Sequence, residues 1–251
     1  MNKLKNAILA ICIFLAIAGN THAQNVRDFA NDADRTLEKY KGKGSNGGSL
    51  SEADISAGLR EALRVGAKNA TSKVSAVDGF FGNALIKILM PPEAKKVENT
   101  LRQMGLGDQV DNAILSMNRA AEDASGKALD IFVDAIKNMS IQDGLNILKG
   151  GNDAATQYLK AKTSAALTKA FKPVIEEALE KVNATKYWAT VFNTYNSLPT
   201  TFKKVNPDLQ AYVTERALNG VFIYIADEEA KIRMNPAARV NDLLKKVFGN
   251  N

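Results

Sequence analysis

Carboxylate, amide and guanidinium groups stand close together at two places in the sequence. The first place is MNRAAEDA at 117–124, where Asn118, Arg119 and Glu122 interrupt small apolar residues. Because residues three and four apart share one face of a helix, Arg119 can pair with Glu122 and Asp123. The pattern indicates either the polar wall of a pocket or an ion pair on a partly exposed helix face.

The second cluster is Asp227-Glu228-Glu229 with Arg233, which follows the apolar run GVFIYIA at 220–226. It allows the same two interpretations. Carboxylates alone can hydrolyse glycosidic bonds when two of them converge across a cleft. A hydrolase of envelope glycans that uses Arg119, Glu122, Asp227 or Glu228 is therefore one hypothesis, although no sequence pattern brings two of these groups together. No catalytic residue is assigned.

An aromatic segment offers a different kind of chemistry. Tyr187, Trp188, Phe192 and Tyr195 recur at helical spacing. They indicate a stacking surface for a sugar or lipid, or simply core packing. No Gly-rich phosphate loop is present and no metal-ligand pattern is convincing, so neither a cofactor nor a metal is predicted. The candidate ligand-binding residues are Asn118, Arg119, Glu122, Trp188, Tyr195 and Glu228.

The first residues predict export. Lys3 and Lys5 precede an apolar run at 7–18, and Thr21-His22-Ala23 ends in a small residue. This is the pattern of a secretory signal peptide, which is too short to span a bilayer. We expect cleavage after Ala23 and a periplasmic location.

Cleavage there would remove the chain's one Cys, Cys12, and its one His, His22. The mature chain would then have no disulfide, no thiolate or imidazole metal ligand, and no His- or Cys-based catalytic group. It would also lose Lys3 and Lys5, which lowers the net charge from +6 to +4. No long run of like charges occurs, so binding to nucleic acid is not predicted.

Hydrophobic periodicity predicts an all-α fold, a single bundle of about eight or nine helices. It places the all-apolar run 220–226 in the centre of the bundle and Met104 on the buried face of the helix after Pro91-Pro92. Residues 24–49 form a short amphipathic helix and a Gly/Ser linker, and 50–249 form the helical domain. Leu50, Ser51, Asp54 and Ile55 have the pattern of a capping box with a hydrophobic staple. The further helices are expected at 55–74, after Pro91-Pro92, at 108–138 with a bend at Ser125-Gly126, after Ser140, at 153–171 with a kink or restart at Pro173 and a continuation over 174–183, at 186–196, from Asn206-Pro207 to 234, and after Asn235-Pro236.

The segment FFGNALIKILMPP at 80–92 does not have helical periodicity. Asp78-Gly79 is a turn signal, Lys87 separates Ile86 from Ile88, and two prolines end the segment. We predict an extended connector over residues 78–92 that inserts a phenylalanine, Ile86 and Ile88 into the core. A pocket wall and a membrane or partner contact are the alternatives.

Several blocks of the sequence resemble a family of secreted bacterial proteins, the domain of unknown function 4197. The resemblance runs from about Leu50 to Gly249 and implies an exported helical protein, with no known activity. It rests on GLREALRVG (58–66), DGFFGNALIKILMP (78–91), MNRAAEDA (117–124), AIKNMSIQDGLNILKGG (135–151), AATQYL (154–159), FKPVIEEAL (171–179) and EEAKIRMNPAARVNDLLKKVFG (228–249).

Export, the absence of His and Cys after cleavage, and the apolar connector together favour a non-catalytic binding module. Its expected partner is a small apolar ligand or an envelope protein. A carboxylate-dependent hydrolase and a peripheral membrane protein that uses 80–90 remain alternatives.

Overall fold

The computed structural model describes residues 51–181, 184–197, 204 and 208–234. These residues form α-helices joined by turns and one irregular connector, and no β-strand occurs among them, which confirms the all-α class. The helices are α1 (Glu52–Val74), α2 (Lys95–Gln103), α3 (Gly107–Ser125), α4 (Ala128–Lys137), α5 (Ile141–Lys149), α6 (Ala154–Glu180), α7 (Ala184–Ser197) and α8 (Leu209–Met234), with a 3-10 turn (Pro92–Ala94) before α2.

The predicted N-terminal helix with its linker, and the predicted helix after Asn235-Pro236, lie outside the described residues. The total of eight or nine helices therefore stays a prediction. Within the described ranges, every helix is too short or too polar to span a lipid bilayer.

Two helices begin at the caps that the sequence predicts. Before α1, the Ser51 hydroxyl accepts the Asp54 N–H at 3.2 Å, and the Ser51 N–H donates to the Asp54 carboxylate at 3.3 Å. Ser140 and Asp143 make the same reciprocal pair before α5, at 3.0 Å in both directions. Each capping box satisfies backbone donors that have no partner inside the helix.

The expected single helix over 108–138 is two helices. α3 ends at Ser125 and α4 begins at Ala128, and the Gly126 and Lys127 N–H groups donate to carbonyls of the preceding turn. The Ser-Gly pair therefore interrupts the helix rather than bending it.

In contrast, α6 runs without a break through Pro173. Pro173 and Lys169 both lie on the exposed side of α6, where water can replace the donor that proline lacks.

The core lies where α8 packs against α6, α1 and α3. α8 contributes an apolar stripe that includes Val213, Ala217 and Val221, and α6 contributes Leu167, Phe171 and Ile175, all with essentially no exposed surface. Phe222 meets Phe132 of α4 edge to face at a centroid distance of 5.8 Å. The run 220–226 is helical, as predicted.

Two core assignments from the periodicity are wrong. Ile223 is 39% exposed, so the run 220–226 is not buried on all sides. Met104, expected on the inner face of α2, is 68% exposed because α2 ends at Gln103 and Met104 belongs to the turn that follows.

The connector lies in the core as predicted, but it is not extended over its whole length. Residues 78–86 form successive turns, in which the Gly82 N–H donates to the Asp78 carbonyl and the Ile86 and Lys87 N–H groups donate to the Asn83 carbonyl. Phe80, Ile86 and Ile88 are buried, with Phe80 fully enclosed. The Phe80 ring lies against Gly220 of α8, and a Cβ atom at position 220 would come within 2.4 Å of the ring. Only glycine fits this contact without a shift of the ring or of α8. The connector thus forms part of the core while linking α1 to α2.

Candidate functional site

Asn118 holds the middle of the connector. Its side-chain Oδ1 accepts the Ile88 N–H, and its Nδ2 donates to the Ile88 carbonyl, both at 2.8 Å. The same Nδ2 donates to the Ile114 carbonyl at 2.7 Å. One fully buried amide therefore satisfies both backbone groups of Ile88, as a neighbouring β-strand would.

Glu122, one turn further along α3, holds the start of the connector. Its Oε1 accepts the N–H groups of Phe80 and Phe81 at 3.0 and 3.1 Å. Its Oε2 accepts a 2.6 Å bond from Arg119, which also reaches Asp78 at 2.7 Å. The buried carboxylate is thus compensated by two amides and a guanidinium, as a buried charge must be.

The other edge of the connector is held by α8. The Tyr212 hydroxyl donates to the Leu89 carbonyl at 2.7 Å, and the Asn83 amide donates to the Tyr224 hydroxyl. The connector therefore lies between α3 and α8, with hydrogen bonds to side chains of both helices.

The outward side of this fixed segment is apolar. Leu85 is 73% exposed and Leu89 is 55% exposed, and Val77, just before the connector, is also exposed. The Lys87 ammonium between the two leucines lies 3.8 Å from the centre of the Phe81 ring. We refer to Val77, Leu85 and Leu89 as the outer ridge.

Glu228 on α8 joins a second polar cluster. Its carboxylate accepts hydrogen bonds from Asn69 and Lys73 of α1, both at 3.0 Å, and from Lys231 at 2.9 Å. Burial alone would raise the pKa of Glu228, but the bonds from Lys231, Asn69 and Lys73 together outweigh it and lower the pKa below its usual value. Glu228 is therefore an anionic link between α8 and α1.

An open depression lies beside this cluster. It has a volume of about 620 Å³ and lies between the end of α1, the first half of the connector and Tyr224 of α8. Its polar lining comprises Ser72, Lys73, Asp78, Asn83 and Tyr224. A second open depression of about 490 Å³, between α4, α5 and α6, has Asp130, Asp134 and Tyr158 among its lining residues.

The sequence-predicted site residues do not gather at one place. Asn118, Arg119 and Glu122 meet at the connector, whereas Glu228 lies with α1. Trp188 is buried in the core, tilted against Phe192 at 4.5 Å and stacked on Tyr212 at 6.1 Å, which is the core-packing interpretation. The Tyr195 side chain lies outside the described residues.

Sequence reasoning missed the lining of the larger depression. The one signal for this lining was the Tyr224 hydroxyl, which is the only polar side-chain group in the run 220–226. Lys73 and Asn83 stood in no recognisable motif. Over the described ranges, no group of three or more His, Cys, Asp or Glu side chains could hold a metal ion.

This geometry defines a helical bundle whose irregular connector is inserted into the core. Its described part has no conventional catalytic cluster. The chain belongs to the family of proteins of unknown function DUF4197, which it matches over residues 49–249. No curated protein and no solved structure matches the chain.

Proposed function

We propose that this protein is an exported, non-catalytic binding module that docks an envelope protein through the outer ridge. One observation carries the proposal: the connector is fixed on its inner side while Leu85 and Leu89 stay in water. Exposed aliphatic side chains grouped on one loop are typical of interaction sites.

The rigidity of the connector supports this function. Asn118, Glu122 and Tyr212 already fix the backbone that carries the ridge. A partner that binds there does not need to order the loop, so little conformational entropy opposes binding. Burying two leucines would contribute on the order of 3 kcal/mol or more.

A lipid surface is the second candidate, and the charges around the ridge favour it less. Loops that bind anionic membranes combine apolar tips with free basic groups. Here Lys73 pairs with Glu228 at 3.0 Å, and Arg119 pairs with Asp78 and Glu122. Lys73 and Arg119 are thereby neutralised within the protein, which leaves Lys87, against the Phe81 ring, as a single basic group on the ridge without an ion pair among the described residues.

The surroundings of Glu228 and Glu122 argue against the hydrolase hypothesis. A general acid at neutral pH needs a raised pKa, and that of Glu228 is lowered. Both carboxylate oxygens of Glu122 already accept hydrogen bonds, one from the connector and the other from Arg119. The two depressions are open to solvent, which argues against a small apolar ligand as the physiological partner, because such ligands are held in pockets that bury most of their surface.

The periplasmic location is part of the proposal. The mature protein should begin at Gln24 and fractionate with the soluble periplasm. N-terminal sequencing of protein purified from its native host tests this, and retention of residues 1–23 would contradict it.

Site-resolved cross-linking tests the docking surface. A photo-reactive amino acid at position 85 should join the protein in intact cells to one partner, identified by mass spectrometry, and Leu89→Asp should abolish that product. Met104 is the matched control, since it is equally apolar and 68% exposed but lies after α2. Equal cross-linking from positions 85 and 104 would contradict the proposal, and cross-linking of position 85 to lipid would favour the membrane instead.

A further inference from the structure

The depression of about 620 Å³ lies next to the outer ridge but is chemically different from it. It is open to solvent, so a ligand there would be held from one side. Ser72, Lys73, Asp78, Asn83 and Tyr224 supply polar groups from three parts of the chain, and the remaining lining consists of alanine and glycine. Because more of the exposed lining is apolar than polar, it suits a ligand that combines hydrogen-bonding groups with apolar faces.

The charges in the depression are already balanced. The Lys73 ammonium pairs with Glu228, and the Asp78 carboxylate lies 2.7 Å from Arg119. A strongly charged ligand would find a group of each sign, each partly neutralised by its own counter-ion. A neutral ligand that forms hydrogen bonds is therefore favoured over an ion.

Several hydrogen-bonding groups in the depression still have capacity. The Tyr224 hydroxyl accepts from Asn83, so its proton remains available for donation. Asp78 uses only Oδ1 toward Arg119, and Lys73 uses one of three protons toward Glu228. Within the described residues, the Tyr224 proton and the second Asp78 oxygen have no hydrogen-bond partner, and the Lys73 ammonium also lies 5.9 Å from the centre of the Tyr224 ring. Adjacent hydroxyl groups, which both donate and accept, match this mixture of donors and acceptors.

The wall formed by the connector is fixed in shape. Asp78 has φ of 65°, in the left-handed region that aspartate tolerates better than most residues. At Gly79 a Cβ atom would lie 2.4 Å from the Lys73 carbonyl oxygen, so the turn closes tightly on the end of α1. A preformed wall lets a weakly held ligand bind without ordering the loop.

We propose that this depression binds a neutral carbohydrate through Asp78, Asn83 and Tyr224. The inference goes beyond the proposed function by giving the binding module a second ligand at a separate site, and it rests on that function only in treating the protein as non-catalytic. The sugar site and the outer ridge share the connector, so a glycan and a protein partner could be held side by side.

Titration of the ¹⁵N-labelled protein with N,N′-diacetylchitobiose and with maltose, followed by NMR, tests the proposal. At least one sugar should give saturable shifts confined to residues 72–84 and the neighbourhood of Tyr224. Tyr224→Phe, which removes only a hydroxyl, should weaken binding about three- to tenfold, and Asp78→Asn should also weaken it. Tyr158→Phe, in the other depression, is the matched control and should change binding less than twofold.

Absence of saturable shifts with both sugars, shifts that map elsewhere, or equal weakening by Tyr158→Phe would overturn the inference. The map from the unmodified protein decides the question even if a variant fails to fold. Cross-linking from position 85 is independent of the sugar, so its persistence without sugar binding would leave the proposed function standing.

Discussion

Glu229 of α8 caps the first turn of α6 through Thr156. The Thr156 N–H and hydroxyl both donate to Glu229 Oε2 at 2.8 Å, and the Ala155 N–H donates to Oε1 at 3.0 Å. Arg233 closes the arrangement with a bond to Glu229 at 2.9 Å and another to the Ile147 carbonyl of α5 at 3.0 Å. One carboxylate thus performs, across the bundle, the role that an N-cap side chain usually performs within its own helix.

Glu229→Ala should lower the free energy of unfolding by about 2–4 kcal/mol, because it leaves the Ala155 and Thr156 N–H groups without their acceptor and removes the ion pair with Arg233. Urea unfolding measures the loss. Glu177→Ala is the control, since among the described residues the Glu177 side chain pairs only with exposed Lys181, and its removal should change stability by less than about 0.5 kcal/mol. Equal effects would mean that the cap contributes nothing.

Ile88→Ala should cost about 2–5 kcal/mol, because the side chain is buried and its loss leaves a cavity in the core. Phe222→Ala should cost a similar amount through its lost contact with Phe132. Lys87→Ala should cost less than about 1 kcal/mol, since among the described residues it removes the contact with the Phe81 ring and a weak attraction to exposed Asp111. Urea unfolding of the three variants compares them, and an Ile88→Ala protein as stable as the unmodified one would refute the core connector.

Asn118→Asp should destabilise the fold by about 2–4 kcal/mol at neutral pH. The substitution replaces a donor to the Ile88 and Ile114 carbonyls with a buried negative charge. Aspartate keeps an acceptor for the Ile88 N–H, so hydrogen exchange is compared in Asn118→Leu, which removes both acceptor and donor and should make the Ile88 N–H exchange faster. Asn112→Asp and Asn112→Leu, on the exposed side of the same helix, are the matched controls. If the Ile88 N–H kept its protection in Asn118→Leu, the amide pairing would not be what holds the connector.

Glu228 should make the fold sensitive to acid. Its pKa is lowered in the folded protein, so its stabilising contribution is fully present above the unfolded value of about 4.5 and is lost as the pH falls through the lower folded value. Glu228→Gln should therefore be less stable than the unmodified protein at pH 7, by about 1–3 kcal/mol. The difference should narrow below about pH 4.5. Urea midpoints between pH 7 and pH 3 measure it, and a difference that stayed constant with pH would contradict the assignment.

Local patterns predicted what is local in this fold. The Ser51 and Ser140 caps, the burial of Ile86 and Ile88 and the all-α class follow from spacing within a few residues. The burial of Ile223 and Met104 was predicted wrongly, because periodicity identifies an apolar face but not where the helix ends or which neighbour covers it. The roles of Asn118, Glu229 and Tyr224 depend on contacts far apart in the chain, which one sequence does not reveal.

The contact of Phe80 with Gly220 also has a consequence for the time course of folding. The nearby pair Asn83 and Tyr224 is separated by 141 positions in the chain, so the connector can contact α8 only when almost the whole domain is present. Contacts between such distant residues form slowly because a long loop must close first. The N-terminal half, α1 to α3, holds Asn118 and Glu122 but lacks Gly220 and Tyr224. The Phe80 and Ile88 N–H groups bond to Glu122 and Asn118 within this half, so pulse-labelled hydrogen exchange should find them protected early, whereas packing of the connector against α8 should be a late step.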